Sequence, residues 1–187
     1  MSNLTFLIYA PSYDEQSGGV VSLHLLCHYL REAGCEAYLV PHYANEECNI
    51  FNYREVLVKL SDNLIYLSDY QVMPKKNIAV FIGEKDSLLN DDIVVYPETT
   101  FGNPLCANYV VRWLLHKPGF FSGKVSFSSN DVLFSYHNIF EIGKSDLWES
   151  AEFNLTITNQ LTEIYRDVKS TTKRSGTAYC VRKGHGL

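Results

Sequence analysis

Three groups of residues in this chain have types and spacings that suit chemistry. The first is Ser17-Gly18-Gly19, lying between an apolar run, Leu4 to Ala10, and an amphipathic stretch that follows. A serine and two glycines at a helix start leave unpaired amides in reach of a ligand, so this run suits a phosphate or a carboxylate, with Ser17 as the predicted cap. It lacks the lysine of a P-loop and the spacing of GxGxxG, so neither ATP hydrolysis nor dinucleotide binding is indicated. The second group is a pair of carboxylates, Asp69 and Glu98, each just past a predicted strand. From there a carboxylate can take a proton from a substrate hydroxyl, or simply cap a helix or bind a loop amide. The third is His24, Cys27 and His28, spaced i, i+3, i+4 as zinc or copper ligands can be. No obvious fourth ligand stands nearby, so the expectation is solvated histidines on an outer helix face and no metal. GxSxG is absent and no cysteine has a reactive context, which removes the usual hydrolase arrangements.

The elements that must position these groups follow from periodicity. Leu4 to Ala10 reads as a strand, and a helix then carries Val20, Leu23, Leu26, Cys27 and Leu30 on one stripe, with His24, His28, Arg31 and Glu32 off it. Gly34 stops the helix, and Glu36 to Pro41 is the next strand. Residues 42–52 are turn-like, Tyr53 to Leu60 a short helix, and Leu64 to Leu67 a strand that delivers Asp69 to its carboxyl end. Ile78 to Ile82 and Ile93 to Tyr96 are further strands, the latter ended by Pro97 and Glu98. Asn103 as cap and Pro104 at the first helical position predict a helix through Trp113 to about His116, stopped by Pro118-Gly119. In it Trp113 belongs to the core, Arg112 meets a carboxylate or a phosphate, and Asn103 has a second role open as a hydrogen-bonder to sugar. Val132 to Tyr136, Phe153 to Ile157 and Thr177 to Val181 read as strands, and Leu161 to Val168 as a helix. The alternation predicts an α/β fold: a Rossmann-like parallel β-sheet flanked by helices, in a single domain.

Composition sets outer bounds. The 187 residues are 46% hydrophobic, enough for one substantial core, and the net charge of -5 gives no reason to expect nucleic acid as a partner. Five cysteines without CxxC spacing argue for reduced thiols, and no leader or membrane-spanning stretch is evident, so a cytoplasmic protein is expected. Thirteen tyrosines and ten phenylalanines can pack a core or line a cleft for flat sugar rings.

Two stretches resemble a known family. Tyr9-Ala10-Pro11, Gly18-Gly19, His24, Leu30 and Gly34-Cys35-Glu36-Ala37 look like the opening of nucleotide-sugar glycosyltransferases of the GT-B fold. Val94 to Glu98, Gly102-Asn103-Pro104-Leu105, Val110 to Leu115 and Lys117-Pro118-Gly119 resemble runs in bacterial glycosyltransferases of surface-polysaccharide synthesis. The resemblance implies that residues 1–187 are the N-terminal, acceptor-side domain, ending at the interdomain crossing, with the donor-binding domain absent and supplied in cis or by a partner chain. It implies a nucleotide sugar as co-substrate, no other cofactor, and a polysaccharide or glycolipid acceptor. It further implies Glu98 or Asp69 in catalysis, Ser17, Gly18, Gly19 and Asn103 against substrate or phosphate, and Arg182 and Lys183 reaching donor phosphates across the hinge unless they are a solvated end. Peripheral association of the complete enzyme with the inner membrane face fits the same picture, and this chain alone is expected to be inactive. Two other readings stay open: a non-catalytic binding or partner domain, and a flavodoxin-like domain for a phosphorylated ligand.

Overall fold

Thr5–Ala10 is a six-residue strand, β1, whose inner residues are apolar on both faces, the mark of a strand at the centre of a parallel sheet. In the computed structural model residues 4–41, 70–81, 91–121, 123–137 and 153–158 are described. The predicted elements Tyr53 to Leu60, Leu64 to Leu67, Leu161 to Val168 and Thr177 to Val181 lie outside them, as do Asp69, Arg182 and Lys183.

The chain leaves β1 through a loop into α1 (Gly18–Glu32) and returns in β2 (Glu36–Pro41), which pairs parallel with β1 from Thr5↔Glu36 to Ala10↔Pro41. At the end of α1, Gly34 takes φ +84, its N–H donates to the Arg31 carbonyl and the Cys35 N–H to that of Leu30. This is the Schellman arrangement, and it fulfils the predicted stop. The remaining strands are β3 (Ile93–Pro97), β4 (Tyr109–Leu114), β5 (Val132–Ser135) and β6 (Phe153–Asn154), all parallel, in the order β2-β1-β3-β4-β5-β6.

A short segment extends the sheet beyond β2. Val80 bridges Leu39 in parallel, with Leu39 N–H donating to the Ala79 carbonyl at 2.8 Å and Phe81 N–H to the Leu39 carbonyl at 2.9 Å. Counted over the described residues, the order with this segment in its place reads third, second, first, fourth, fifth, sixth, seventh, whose first six positions are those of the Rossmann fold, whereas the six named strands alone begin as the flavodoxin order does. Of the predicted strand from Ile78 to Ile82, residues 78–81 are described and contribute one bridge, at Val80, while Ile82 lies outside the described residues. The winding reverses between β1 and β3, and their carboxyl ends open the crevice where such sheets bind ligands.

The sheet buries both faces. Ile8, Ala10, Ala37, Leu39, Val95 and Trp113 pack with the inner face of α1. Leu7, Tyr9, Val40, Val94, Tyr96 and Val110 pack on the other face against Leu105 and Ala107 from the loop after β3. Alternate residues of each strand thus serve two separate cores.

The predicted helix from Asn103 to His116 does not form: Tyr109–Leu114 is β4, paired with β3 from Ile93↔Tyr109 to Pro97↔Trp113. The reason is that a strand buried on both faces loses its alternation, so Val-Val-Arg-Trp-Leu-Leu carries no period of two, while its β-branched and aromatic residues favour the pleat. Asn103 is accordingly no helix cap. Its Oδ1 accepts from the Ala107 N–H at 3.0 Å and from the Tyr96 hydroxyl at 3.0 Å, and its Nδ2 donates to the Ala107 carbonyl at 2.8 Å. β6 is also shorter than predicted, because the carbonyls of Leu155 and Ile157 accept from Trp113 Nε1 at 2.9 Å and the Tyr136 hydroxyl at 2.6 Å instead of a neighbouring strand. No described helix is long and apolar enough to cross a membrane.

Candidate functional site

The crevice is built from the loop after β1, the first turn of α1 and the turns that follow β3 and β4. Ser17 stands at the N-cap position with extended backbone, φ -100 and ψ 102, and its carbonyl accepts the Val21 N–H at 2.9 Å. Its hydroxyl, contrary to expectation, caps nothing, and no acidic residue lies in the first turn. Ser22 turns back instead, its hydroxyl donating to the Gly18 carbonyl at 2.9 Å. The first turn of α1 thus has neither a side-chain cap nor a carboxylate within it, although Asp14 and Glu15 precede it and Asp14 Oδ1 accepts the Gln16 N–H at 2.9 Å, and its leading amides are placed to receive an anion.

The fold itself does not call for the two glycines here. A Cβ on Gly18 would meet no atom within 4 Å, and one on Gly19 only Leu115 Cδ1 at 3.6 Å, an ordinary contact. Neither lies among the glycines with positive φ. Glycine at both places keeps backbone bare where a larger residue would fit, which is what close approach of a ligand requires.

Leu115 ties this turn to Glu98. Glu98 is 8% exposed at the end of β3, and its Oε2 accepts the Leu115 N–H at 3.0 Å. Burial pushes the carboxyl above the usual carboxylate range, while the backbone amides of Glu98, Leu115 and His116 pull it back. Gly19, Leu115 and Glu98 are therefore contiguous, and the carboxylate braces the turn after β4. Thr100 Oγ1 and His116 Nδ1 are buried here without hydrogen-bond partners.

His24 is fully buried rather than solvated. Met73 N–H donates to its Nδ1 at 3.2 Å, so Nδ1 carries no proton and Nε2 donates to the Pro11 carbonyl at 3.0 Å. Burial lowers its pKa, and the ring lies between Tyr13 and Tyr70. One turn on, His28 Nδ1 accepts the Asn77 N–H at 3.1 Å. The two histidines hold a strap, residues 70–77, along α1; the strap in turn fixes the loop after β1 through Gln71, which accepts from Tyr13 N–H at 2.8 Å, and through the Tyr70 hydroxyl, which donates to the Ala10 carbonyl at 3.0 Å. Periodicity misplaced His24 because the strap widens the buried face of α1 beyond the stripe that a sheet alone would cover. Cys27 is buried in the core, and among the described residues no three His, Cys, Asp or Glu side chains are grouped to hold a metal ion.

Arg112 meets a carboxylate. Buried on the face of β4 away from α1, it donates from Nε to Asp131 Oδ2 at 2.9 Å, from one terminal nitrogen to the Thr100 carbonyl at 2.8 Å and from the other to the Gly102 carbonyl. Tyr96 and Phe127 stack on it, with ring centroids 4.8 and 5.3 Å away. The Tyr96 hydroxyl also accepts the Leu105 N–H at 2.8 Å. Arg112 and Asn103 thus lock the loop after β3, and their polar atoms face protein. The sequence signal for this was a lone charge inside an apolar run, which demands a buried partner. Comparison with known protein families, curated proteins and solved structures yields no match to this chain.

Proposed function

We propose that this domain is the acceptor-side half of a nucleotide-sugar-dependent glycosyltransferase that extends a polysaccharide, glycolipid or related acceptor at the cytoplasmic face of a membrane. The observation that carries the reading is the bare start of α1: two glycines that the backbone does not need, at a helix N-terminus without a side-chain cap, at the switch point of the parallel sheet between β1 and β3. The resemblance of Tyr9 to Ala37 and of Val94 to Gly119 to GT-B enzymes supports the same conclusion.

In this reading an acceptor hydroxyl attacks the anomeric carbon of the activated sugar, and the departing diphosphate is stabilised by helix-start amides and basic groups. Gly18 and Gly19 let the transferred sugar or its phosphate lie against backbone. Glu98 positions the 115–116 turn beside Gly19; to act as general base it must exchange the Leu115 amide for the acceptor hydroxyl. The remaining donor contacts come from a second domain, in cis or on a partner chain.

The test is amide NMR of the labelled chain titrated with a panel of nucleotide sugars and short oligosaccharides. Shifts centred on Gly18, Gly19 and Leu115, lost in Gly18→Ala and Gly19→Ala chains of unchanged Tm, support the proposal. A panel that leaves those amides unmoved overturns it.

A further inference from the structure

The strap along α1 is fastened in a way that depends on the charge of two side chains. His24 and His28 stand one turn apart and both present Nδ1 as an acceptor, His24 to the Met73 N–H at 3.2 Å and His28 to the Asn77 N–H at 3.1 Å. A protonated imidazole donates from both nitrogens and accepts at neither, so each of these bonds exists only with a neutral ring. Around His24 stand the rings of Tyr13 from the loop after β1 and Tyr70 from the strap, and among the described residues its nitrogens meet only the Met73 amide and the Pro11 carbonyl. Around His28 stand the Tyr29 ring and Asn77. The charges near it are already engaged or positive: Glu32 Oε1 accepts from Asn77 Nδ2 at 2.9 Å, Arg31 Nε donates to Asn77 Oδ1 at 3.0 Å, and Lys75 and Lys76 precede Asn77 in the strap.

The strap itself buries little. Of residues 70–77 only Met73 is buried, and none belongs to a helix or strand. Lys75 takes φ +59, a left-handed conformation that strains a lysine and that release relieves. Segments of this kind open at lower cost than the sheet they lie on. The beginning of the strap braces the loop after β1: the Gln71 carbonyl accepts the Tyr13 N–H, the Gln71 N–H donates to Ser12 Oγ at 2.9 Å, and the Tyr70 hydroxyl reaches the Ala10 carbonyl. That loop runs directly into Ser17, Gly18 and Gly19.

We propose that residues 70–77 form an acid-released strap that regulates the crevice: protonation of His24 and His28 removes both imidazole acceptors, the strap leaves α1, and the loop after β1 loses the brace that holds Ser17, Gly18 and Gly19 in place. The effect on binding rests on the start of α1 being the ligand site, whereas release of the strap rests on its own hydrogen bonds. The direction for His24 follows from burial, which lowers its pKa below 6.5 in the closed state, so release takes up a proton and is favoured as pH falls below about 6.5.

The test is amide hydrogen exchange of the chain by NMR from pH 7.5 to 5.5, corrected for the intrinsic pH dependence of exchange. Below about pH 6.5 the protection of Met73 and Asn77 is expected to fall together, about tenfold per pH unit for one proton taken up, while amides of β1 and β3 keep theirs. His24→Asn with His28→Asn puts an amide oxygen where each Nδ1 stands, an acceptor that does not titrate, and is expected to flatten the profile. The ring nitrogen shifts of the parent give the same reading without substitution, since they must titrate in step with exchange at Met73 and Asn77. Protection in the parent that is flat, or that falls only together with the sheet, overturns the proposal. The nucleotide-sugar panel then separates its two parts. Affinity read at Gly18 and Gly19 that drops about tenfold from pH 7.5 to 5.5 in the parent, but not in the doubly substituted chain, supports regulation of the site. Equal affinity at both pH values overturns that regulation. Silence of Gly18 and Gly19 at every pH while the strap opens overturns the ligand reading of α1 and leaves the release standing.

Discussion

The loops that follow β1 and β3 leave the same edge of the same sheet and are built in opposite ways. The loop after β3 is closed: Tyr96, Asn103, Arg112 and Asp131 pin it, and the Arg112 guanidinium is bonded from all three nitrogens. Among the described residues, the loop after β1 is pinned along its first residues by His24 and the 70–77 strap and turned by Asp14, which accepts the Gln16 N–H on Oδ1, and it ends at Ser17, Gly18 and Gly19 without a side-chain cap. Polar groups that satisfy each other make a rigid wall; backbone amides left without side-chain partners remain available to a ligand.

The largest way to break the contrast is to open the closed loop. Asp131→Ala leaves the Arg112 charge buried without its carboxylate and is expected to cost about 3–5 kcal/mol in urea denaturation. Unchanged stability would mean that the two carbonyls suffice for Arg112 and that the wall is less dependent on charge than its geometry indicates.

Removing the pin of the other loop comes next. His24→Leu deprives the Met73 N–H and the Pro11 carbonyl of partners and is expected to cost about 2–3 kcal/mol. The same ring gives a pH dependence. Its folded pKa lies below the ordinary value of 6.5, so the unfolded chain binds the proton more readily. The stability His24 contributes is therefore complete above about pH 6.5 and falls as pH drops below it. Thermal melts from pH 7.5 to 5 should show this decline in the parent and a flatter profile in His24→Leu. Equal slopes would place the titration elsewhere.

Tyr96→Phe sharpens the comparison from the closed side. It removes a hydroxyl that bridges Asn103 Oδ1 and the Leu105 amide, for an expected loss of about 1–2 kcal/mol and faster hydrogen exchange at Leu105. The smallest stability effect belongs to Gly18→Ala. With no atom near the added Cβ, it should leave stability unchanged or raise it by up to about 1 kcal/mol. A clear loss of Tm would show that the fold needs this glycine after all and would remove the argument for a ligand.

Local signals carried the β1-α1-β2 unit almost to the residue. A short apolar run, an amphipathic stripe and Gly34 all act within a few positions, and the Schellman stop at Gly34 and Cys35 needs nothing from the rest of the chain. The placement of Gly18, Gly19 and Glu98 at element ends was equally readable, for turn chemistry is local. The same logic failed at Asn103 and Pro104, which make a good helix start in isolation but sit in a turn, because β4 fills the centre of the sheet and tertiary burial outweighs a weak local propensity.

The sequence by itself thus determined a parallel α/β fold, the first three elements and a helix start without a side chain suited to bind metal or nucleotide by known motif. Only the tertiary structure decided that His24 is a buried neutral acceptor, that Arg112 closes a loop with Asp131, and that Gly19 meets Leu115 beside Glu98. Propensity and capping are settled among neighbours in the chain. Which strands lie side by side, and so which distant residues share a crevice, is set by crossovers that local physics does not register.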